Sequence, residues 1–196
     1  MTYSQLLMKI NFNIPFIRTY IVSFILTVFV VYSAPGISAD KPTAEYKLKA
    51  ALLYKLTKFV EWPKESENSS QRPFGLCVLG NNNFGSALDS VEGRTVGGRK
   101  IALYFYDQSE AMQNNCDLVF ISDSKRPFLS PILLSLNNQA ILSVSDMSDF
   151  AKNGGIIQFT TRKRIGFKIN IESAKKAGLK IAAPLLQLAT IVKSKD

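Results

Sequence analysis

The chain has 196 residues, and its 24 Lys and Arg against 15 Asp and Glu give a formal net charge of +9 at neutral pH. It contains no histidine, which excludes Ser-His-Asp catalysis, Cys-His nucleophiles and histidine metal sites. No other pairing of a nucleophile with a base is visible. We therefore expect neither an enzyme nor a metal site, and no cofactor.

Residues 1–39 have the pattern of a secretory signal peptide. Two basic residues, Lys9 and Arg18, precede an uncharged apolar run at 19–32, and helix breakers and a small residue follow it. A membrane-spanning helix needs about 20 apolar residues, and this run is shorter. We predict a cleaved signal peptide and an exported domain of residues 40–196. An uncleaved N-terminal anchor is the alternative.

Loss of Lys9 and Arg18 would lower the net charge to +7, which favours anionic surroundings unless the charge is simply dispersed over the surface. Nucleic acid is a poor partner for an exported protein. The two cysteines, Cys77 and Cys116, are an even pair in an oxidising compartment, which predicts a disulfide. Such a bridge would contribute on the order of 4 kcal/mol in the chain-entropy model. Two buried free thiols are the alternative.

The predicted elements begin with an amphipathic helix over residues 43–60. Its expected core stripe comprises Ala44, Leu48, Ala51, Leu52, Leu56 and Phe59. Short apolar strands at 74–80, 99–107, 116–122 and 140–145 then alternate with helices at 84–93, 127–138 and 146–155, the last with Asp146 as its N-cap. Strands at 155–161 and 165–171 form a hairpin, and helices follow at 172–178 and 183–193.

Short apolar strands alternating with helices predict a mostly parallel sheet covered on both faces. The fold class is therefore α/β: a single three-layer domain with a mostly parallel sheet flanked by helices and a C-terminal antiparallel hairpin.

Two aromatic residues near the end of the first helix are candidates for partner contact. Trp62 is the only tryptophan, and it precedes Pro63, where the helix must end. We expect it to be half-buried at a rim, where it either caps the core or contacts a partner. Phe59 is expected to pack into the core, and it is the second candidate for this contact.

Two polar segments are also candidates for binding. Asn81, Asn82 and Asn83 follow a strand and precede a helix, which suits a small-ligand loop. The segment lacks the glycine spacing of phosphate and dinucleotide loops, so an ordinary turn is the alternative. The basic residues Arg162, Lys163 and Arg164 lie at the predicted hairpin tip. They could contact an acidic partner or a lipid surface, or be merely solvated.

An ordered set of sequence blocks resembles the YfiR-like family of periplasmic regulators. The blocks are "KAALLYKLTKFVEWP" (49–63), "PFGLCVLG" (73–80), "FGSAL" (84–88), "VGGRKI" (96–101), "CDLVFIS" (116–122), "ILSVSDMSDFAKNGGIIQF" (141–159), "FKINIESAKKAGLKI" (167–181) and "LLQLA" (185–189). Each block alone is weak, but together and in this order they are specific.

The resemblance implies a non-enzymatic periplasmic protein that represses an inner-membrane diguanylate cyclase. Such a repressor binds the periplasmic sensor domain of the cyclase and so lowers cyclic di-GMP and biofilm formation. Homodimers occur in the family, which makes a homodimer possible here. Cys77 and Cys116 match the position of a family disulfide. A second cysteine pair of some members is missing from 145–155, so redox control through it does not carry over. The alternative function is a small-molecule sensing module that serves another membrane sensor or a transporter.

Overall fold

The computed structural model describes residues 43–63, 72–112, 115–161 and 165–194, all within one compact unit that spans Asp40–Asp196. The predicted signal peptide lies outside the described residues. The α-helices are α1 (Ala44–Leu56), α2 (Leu129–Ser135), α3 (Ile171–Lys176) and α4 (Ala183–Gln187). Short 3₁₀ helices span Gly85–Ser90, Ser109–Met112 and Asp123–Phe128. None of the helices in these segments is long and apolar enough to cross a membrane.

Eight strands form the main sheet, and two short strands form a separate ribbon. The strands are β1 (Val60–Glu61), β2 (Phe74–Leu79), β3 (Thr95–Val96), β4 (Arg99–Tyr106), β5 (Leu118–Ile121), β6 (Leu142–Ser145), β7 (Ile157–Thr161), β8 (Ile165–Asn170), β9 (Lys180–Ile181) and β10 (Ala189–Val192). The order in the main sheet is β10-β8-β7-β6-β5-β2-β4-β3, and β1 pairs with β9. Strands β4, β2, β5, β6 and β7 are parallel neighbours, which confirms the predicted mostly parallel sheet.

The sheet lies between two apolar layers, because successive side chains of a strand point to opposite faces. In β2, Leu76 and Val78 pack in the layer that contains Leu53 of α1. Their neighbours Cys77 and Leu79 pack in the opposite layer, with Leu129 and Ile132 of α2. Helices therefore cover both faces, as the three-layer prediction requires.

Strand β2 lies between β5 and β4, and the chain leaves it first towards β4 and later, through β5, in the other direction. The loops after β2 and β5 therefore diverge at the carboxyl ends of these strands, where open α/β sheets bind ligands. The predicted ligand residues Asn81, Asn82 and Asn83 follow β2 at this point.

The predicted core stripe of the first helix is confirmed for Leu52 and Leu56 but is wrong for Ala44, Leu48 and Ala51. The buried residues of α1 are Lys49, Ala50, Leu53 and Leu56, whereas Leu48 is 50% exposed and Ala51 is exposed. Phe59, expected in the core, is 36% exposed. The physical reason is that Lys49 pairs with two carboxylates, the exposed Glu45 and the partly buried Asp146, so the helix turns a charged residue inwards and an apolar one outwards.

Residues 146–155, predicted as a helix, form a series of turns. Asp149 has a φ of +59°, a left-handed conformation that interrupts a helix. Asp146 is not an N-cap, because its carboxylate bonds side chains of α1. A Cβ on Gly155 would come within 2.1 Å of the Phe150 ring, so this position requires glycine.

The C-terminal segment 183–193, predicted as one helix, splits into α4 and β10. The β-branched run Thr190–Val192 continues as a strand that pairs in parallel with β8 and forms the edge of the sheet. The predicted hairpin is confirmed, since β7 and β8 are antiparallel with Phe159 opposite Phe167. It lies one strand in from the edge.

Candidate functional site

The indole ring of Trp62 is fixed at the amino end of the parallel strands. Its Nε1–H donates to the backbone oxygen of Asp117 at 3.3 Å, and its ring meets Phe74 edge to face with centroids 5.2 Å apart. The side chain is half-buried, as predicted. These contacts give Trp62 a structural role, and partner contact through its exposed part stays a prediction.

The carboxylate of Asp117 organises this end of the sheet. It is 1% exposed, directly precedes β5, and accepts the backbone N–H of Gly75 at 2.8 Å. Two guanidinium groups each donate two hydrogen bonds to it, Arg72 at 2.9 and 2.7 Å and Arg99 at 3.3 and 3.0 Å. A buried carboxylate with this many donors is fully compensated. We call Asp117, Arg72 and Arg99 the amino-end ion cluster.

Sequence reasoning missed the amino-end ion cluster. A signal was available, because Asp117 directly precedes a buried strand and Arg72 and Arg99 lie at the starts of two others. Parallel strands bring their amino ends to one edge of the sheet, so charges of opposite sign at these positions must lie close together. The strand order that makes them neighbours was not visible in the sequence.

The predicted disulfide between Cys77 and Cys116 is present. The Cα atoms are 5.7 Å apart, and the bridge joins β2 to the residue before Asp117. Both cysteines are buried, at 0% and 5% exposure. A buried bridge of this kind suits an oxidising compartment such as the periplasm.

An apolar face of α1 is left exposed by the rotation of the helix. Leu48 and Ala51 lie on this face, and Phe59 follows it just past the helix end. Lys55 and Lys58 are exposed beside these residues, and the ammonium group of Lys58 donates to the Thr95 backbone oxygen at 2.8 Å. We call Leu48, Ala51 and Phe59 the α1 outer face. Apolar side chains flanked by lysines suit a protein surface that combines apolar and acidic groups.

The three asparagines predicted as a ligand loop use polar groups within the protein. The Asn81 backbone N–H donates to Ser124 Oγ at 3.0 Å, and Asn82 Oδ1 accepts the backbone N–H of Phe84 at 3.1 Å. Asn83 Nδ2 donates to the Tyr46 hydroxyl at 3.1 Å. All three residues are exposed. These bonds favour the ordinary-turn interpretation, and a ligand contact stays a prediction.

A polar network around the buried Lys49 connects α1 to the carboxyl ends of the parallel strands. Lys49 is 2% exposed, and its Nζ lies 2.6 Å from both an Asp146 and a Glu45 carboxylate oxygen. The Tyr46 hydroxyl donates to the same Asp146 oxygen at 3.0 Å. Burial alone would lower the pKa of Lys49, but the bonds to the two carboxylates outweigh it and raise this pKa above its ordinary value. Burial also raises the pKa of Tyr46.

Ser122 is the first residue after β5, at the carboxyl ends of the parallel strands, where the loops after β2 and β5 diverge. The strand pairing aligns it with Gly80 after β2 and Asp146 after β6. Its Oγ is buried and has no hydrogen-bond partner in the part of the chain that the structure describes. The buried hydroxyl therefore contributes no hydrogen bond to this end of the sheet.

The basic cluster Arg162, Lys163 and Arg164 lies outside the described residues, between β7 and β8. Its predicted contact with an acidic partner or lipid stays a prediction. Within residues 43–63, 72–112, 115–161 and 165–194, no group of three acidic or cysteine side chains could hold a metal ion.

Comparison with known families gives a match over nearly the whole described domain. Residues 46–190 match the model of the YfiR/HmsC-like family. The chain belongs to this family. A search of curated proteins finds no match. Family membership confirms the resemblance in the sequence blocks, and the domain that carries them is the one held together by the disulfide and the amino-end ion cluster.

Proposed function

We propose that the protein is a periplasmic repressor of an inner-membrane diguanylate cyclase. It binds the periplasmic sensor domain of the cyclase and holds the enzyme inactive, which lowers cyclic di-GMP and biofilm formation. The observation that carries the proposal is membership of the YfiR/HmsC-like family over residues 46–190. The buried Cys77–Cys116 bridge supports an oxidising compartment.

The α1 outer face is the surface that we propose contacts the sensor domain. Leu48 is 50% exposed on a helix whose other side packs in the core, and Phe59, just past the end of this helix, is 36% exposed. Exposed apolar groups on a rigid element are typical of protein contacts, and flanking lysines favour an acidic partner. Trp62 follows Phe59 by three residues and is held by its bond to the Asp117 backbone oxygen.

A binding measurement tests this proposal. We expect protein purified from the periplasm to bind the isolated sensor domain, and the double variant Leu48→Ser/Phe59→Ser to bind at least about tenfold more weakly, since two apolar contacts are lost. The matched control is Leu188→Ser, which removes a 74% exposed leucine from the sheet-edge side of the domain. Equal affinity of both variants would contradict the assignment of the surface. No binding by the unmodified protein would contradict the proposed function.

The second candidate is a small-molecule sensing module that serves another membrane sensor or a transporter. The observation that favours it is a pocket beside α2 with a volume of about 320 Å³. Thermal-shift screening against small metabolites discriminates the two. A specific ligand together with unchanged cyclic di-GMP in a deletion strain would favour this second function.

A further inference from the structure

The pocket beside α2 is lined by both apolar and polar side chains, and none of its lining residues belongs to the α1 outer face. It opens between α2, the turn before β7, and α3. Leu133 of α2 and Leu136, directly after this helix, form one wall, and Ile141 and Ile156 lie near the starts of β6 and β7. A volume of about 320 Å³ is within the range of small-ligand sites in proteins. The pocket therefore has room for a small ligand with a compact apolar group.

Two hydroxyl groups that line this pocket are hydrogen-bonded to other parts of the domain. Ser143 is 3% exposed, and its Oγ accepts the backbone N–H of Ile156 at 3.1 Å. The hydroxyl hydrogen of Ser143 is therefore available to donate. The Ser194 Oγ accepts a hydrogen bond from the buried Asn170 side chain at 2.9 Å, and this bond positions the Ser194 hydroxyl. These hydroxyl groups can orient a polar ligand group without moving.

Among the described residues that line the pocket, the charged side chain is Lys176 of α3, and none of these described residues is a carboxylate. Within the described segments, no ion pair involves Lys176. A cation beside a group of leucine and isoleucine side chains favours a ligand with one negative charge and an apolar body.

We propose that this pocket binds a small amphipathic monocarboxylic acid. The carboxylate pairs with the Lys176 ammonium, and the apolar body packs against Leu133 and Ile141. The inference is independent of the proposed cyclase repression, because it concerns binding to the isolated protein. A failure of one therefore leaves the other intact.

Octanoate and octanamide are the matched probes, since they share a chain and differ in charge. We expect titration calorimetry to detect saturable octanoate binding to protein purified from the periplasm, with octanamide at least about tenfold weaker, because a charge-assisted hydrogen bond is lost. Equal affinity for the two probes, or no saturable binding of octanoate, would overturn the proposal.

Variants of two neighbouring lysines locate the charge. Lys176→Gln should reduce octanoate affinity to that of octanamide. The control Lys175→Gln removes an equal charge from the same helix at an exposed position that does not line the pocket, and it should leave the affinity unchanged. Equal losses in both variants would overturn the site, because they would indicate a general effect of charge.

Amide chemical shifts provide a readout that does not depend on substitutions. Octanoate should shift the backbone amide signals of Asn153 and Gly154, which line the pocket. Saturable shifts confined to other parts of the domain would contradict the assignment even if octanoate binds.

Discussion

At the scale of single residues, the amino-end ion cluster is the most constrained feature of the domain. Asp117 is buried and receives four hydrogen bonds from two arginines and one from Gly75. Arg99 also lies over the Phe74 ring, 5.2 Å from its centroid, and Phe74 in turn contacts Trp62. One aspartate therefore connects β2, β4 and the start of β5 to the tryptophan.

Asp117→Asn tests this role. The amide keeps the size of the side chain but removes the buried negative charge that both guanidinium groups contact, so we expect a loss of about 3 kcal/mol in the free energy of unfolding. Urea denaturation measures the change. The control is Ser122→Ala, also at a strand end and buried. Its hydroxyl has no partner among the described residues, so its loss should change stability by less than about 0.5 kcal/mol. Similar effects of the two substitutions would contradict the account.

At the scale of elements, α1 is held by polar as well as apolar contacts. Leu53 and Leu56 pack in the core, and Lys49 reaches the Asp146 carboxylate after β6. Burying this lysine turns Leu48 outwards. The α1 outer face is therefore a consequence of the ion pair beneath the helix.

The ion pair of Lys49 predicts how stability depends on pH. The folded-state pKa of Lys49 is raised above its ordinary value of 10.5, so its contribution is fully present below that pH and is lost as pH rises through the folded pKa. Tyr46 titrates in the same range, so the comparison is made in a Tyr46→Phe background. There we expect unfolding free energy to fall more steeply above pH 10.5 than it does when Lys49→Met is added. Parallel pH profiles would contradict the interpretation.

The sequence predicted most elements of the fold, and the errors have a common physical origin. Apolar periodicity located α1 but assigned part of its core stripe wrongly, because it treats Lys49 as a surface residue. Local patterns also suggested helices at 146–155 and 183–193, where a left-handed Asp149 and pairing of β10 with β8 determine the backbone. Periodicity does not record tertiary partners, so it failed where a distant residue decides the conformation.

The candidate site was predictable only in part. Trp62 and the disulfide could be recognised from position and compartment. The partners of Asp117 and the polar lining of the α2 pocket could not, because they come from segments far apart in the chain. Strand order decides which of these segments meet, and no local pattern in the sequence records that order.

At the scale of the whole molecule, the Cys77–Cys116 bridge joins β2 to the residue before Asp117 of the amino-end ion cluster. It closes a segment with a sequence separation of 39, for which the chain-entropy model gives on the order of 4 kcal/mol. The closed segment runs from Cys77 to Cys116 and contains β3 and β4.

The double variant Cys77→Ala/Cys116→Ala should lower the free energy of unfolding by about 2–4 kcal/mol, measured by urea denaturation. In the unmodified protein, thiol labelling should be negligible in denaturant without reductant and complete when reductant is added. Two labelled thiols in denaturant alone would contradict the bridge in protein taken from the periplasm.

The cyclic di-GMP level in a deletion strain tests most directly whether the protein represses a cyclase through the α1 outer face. Deletion should raise cyclic di-GMP, and both the unmodified gene and Leu188→Ser should restore the low level. Leu48→Ser/Phe59→Ser, expressed to the same level and with the same melting temperature, should fail to restore it. Unchanged cyclic di-GMP on deletion and on overexpression would contradict the claim.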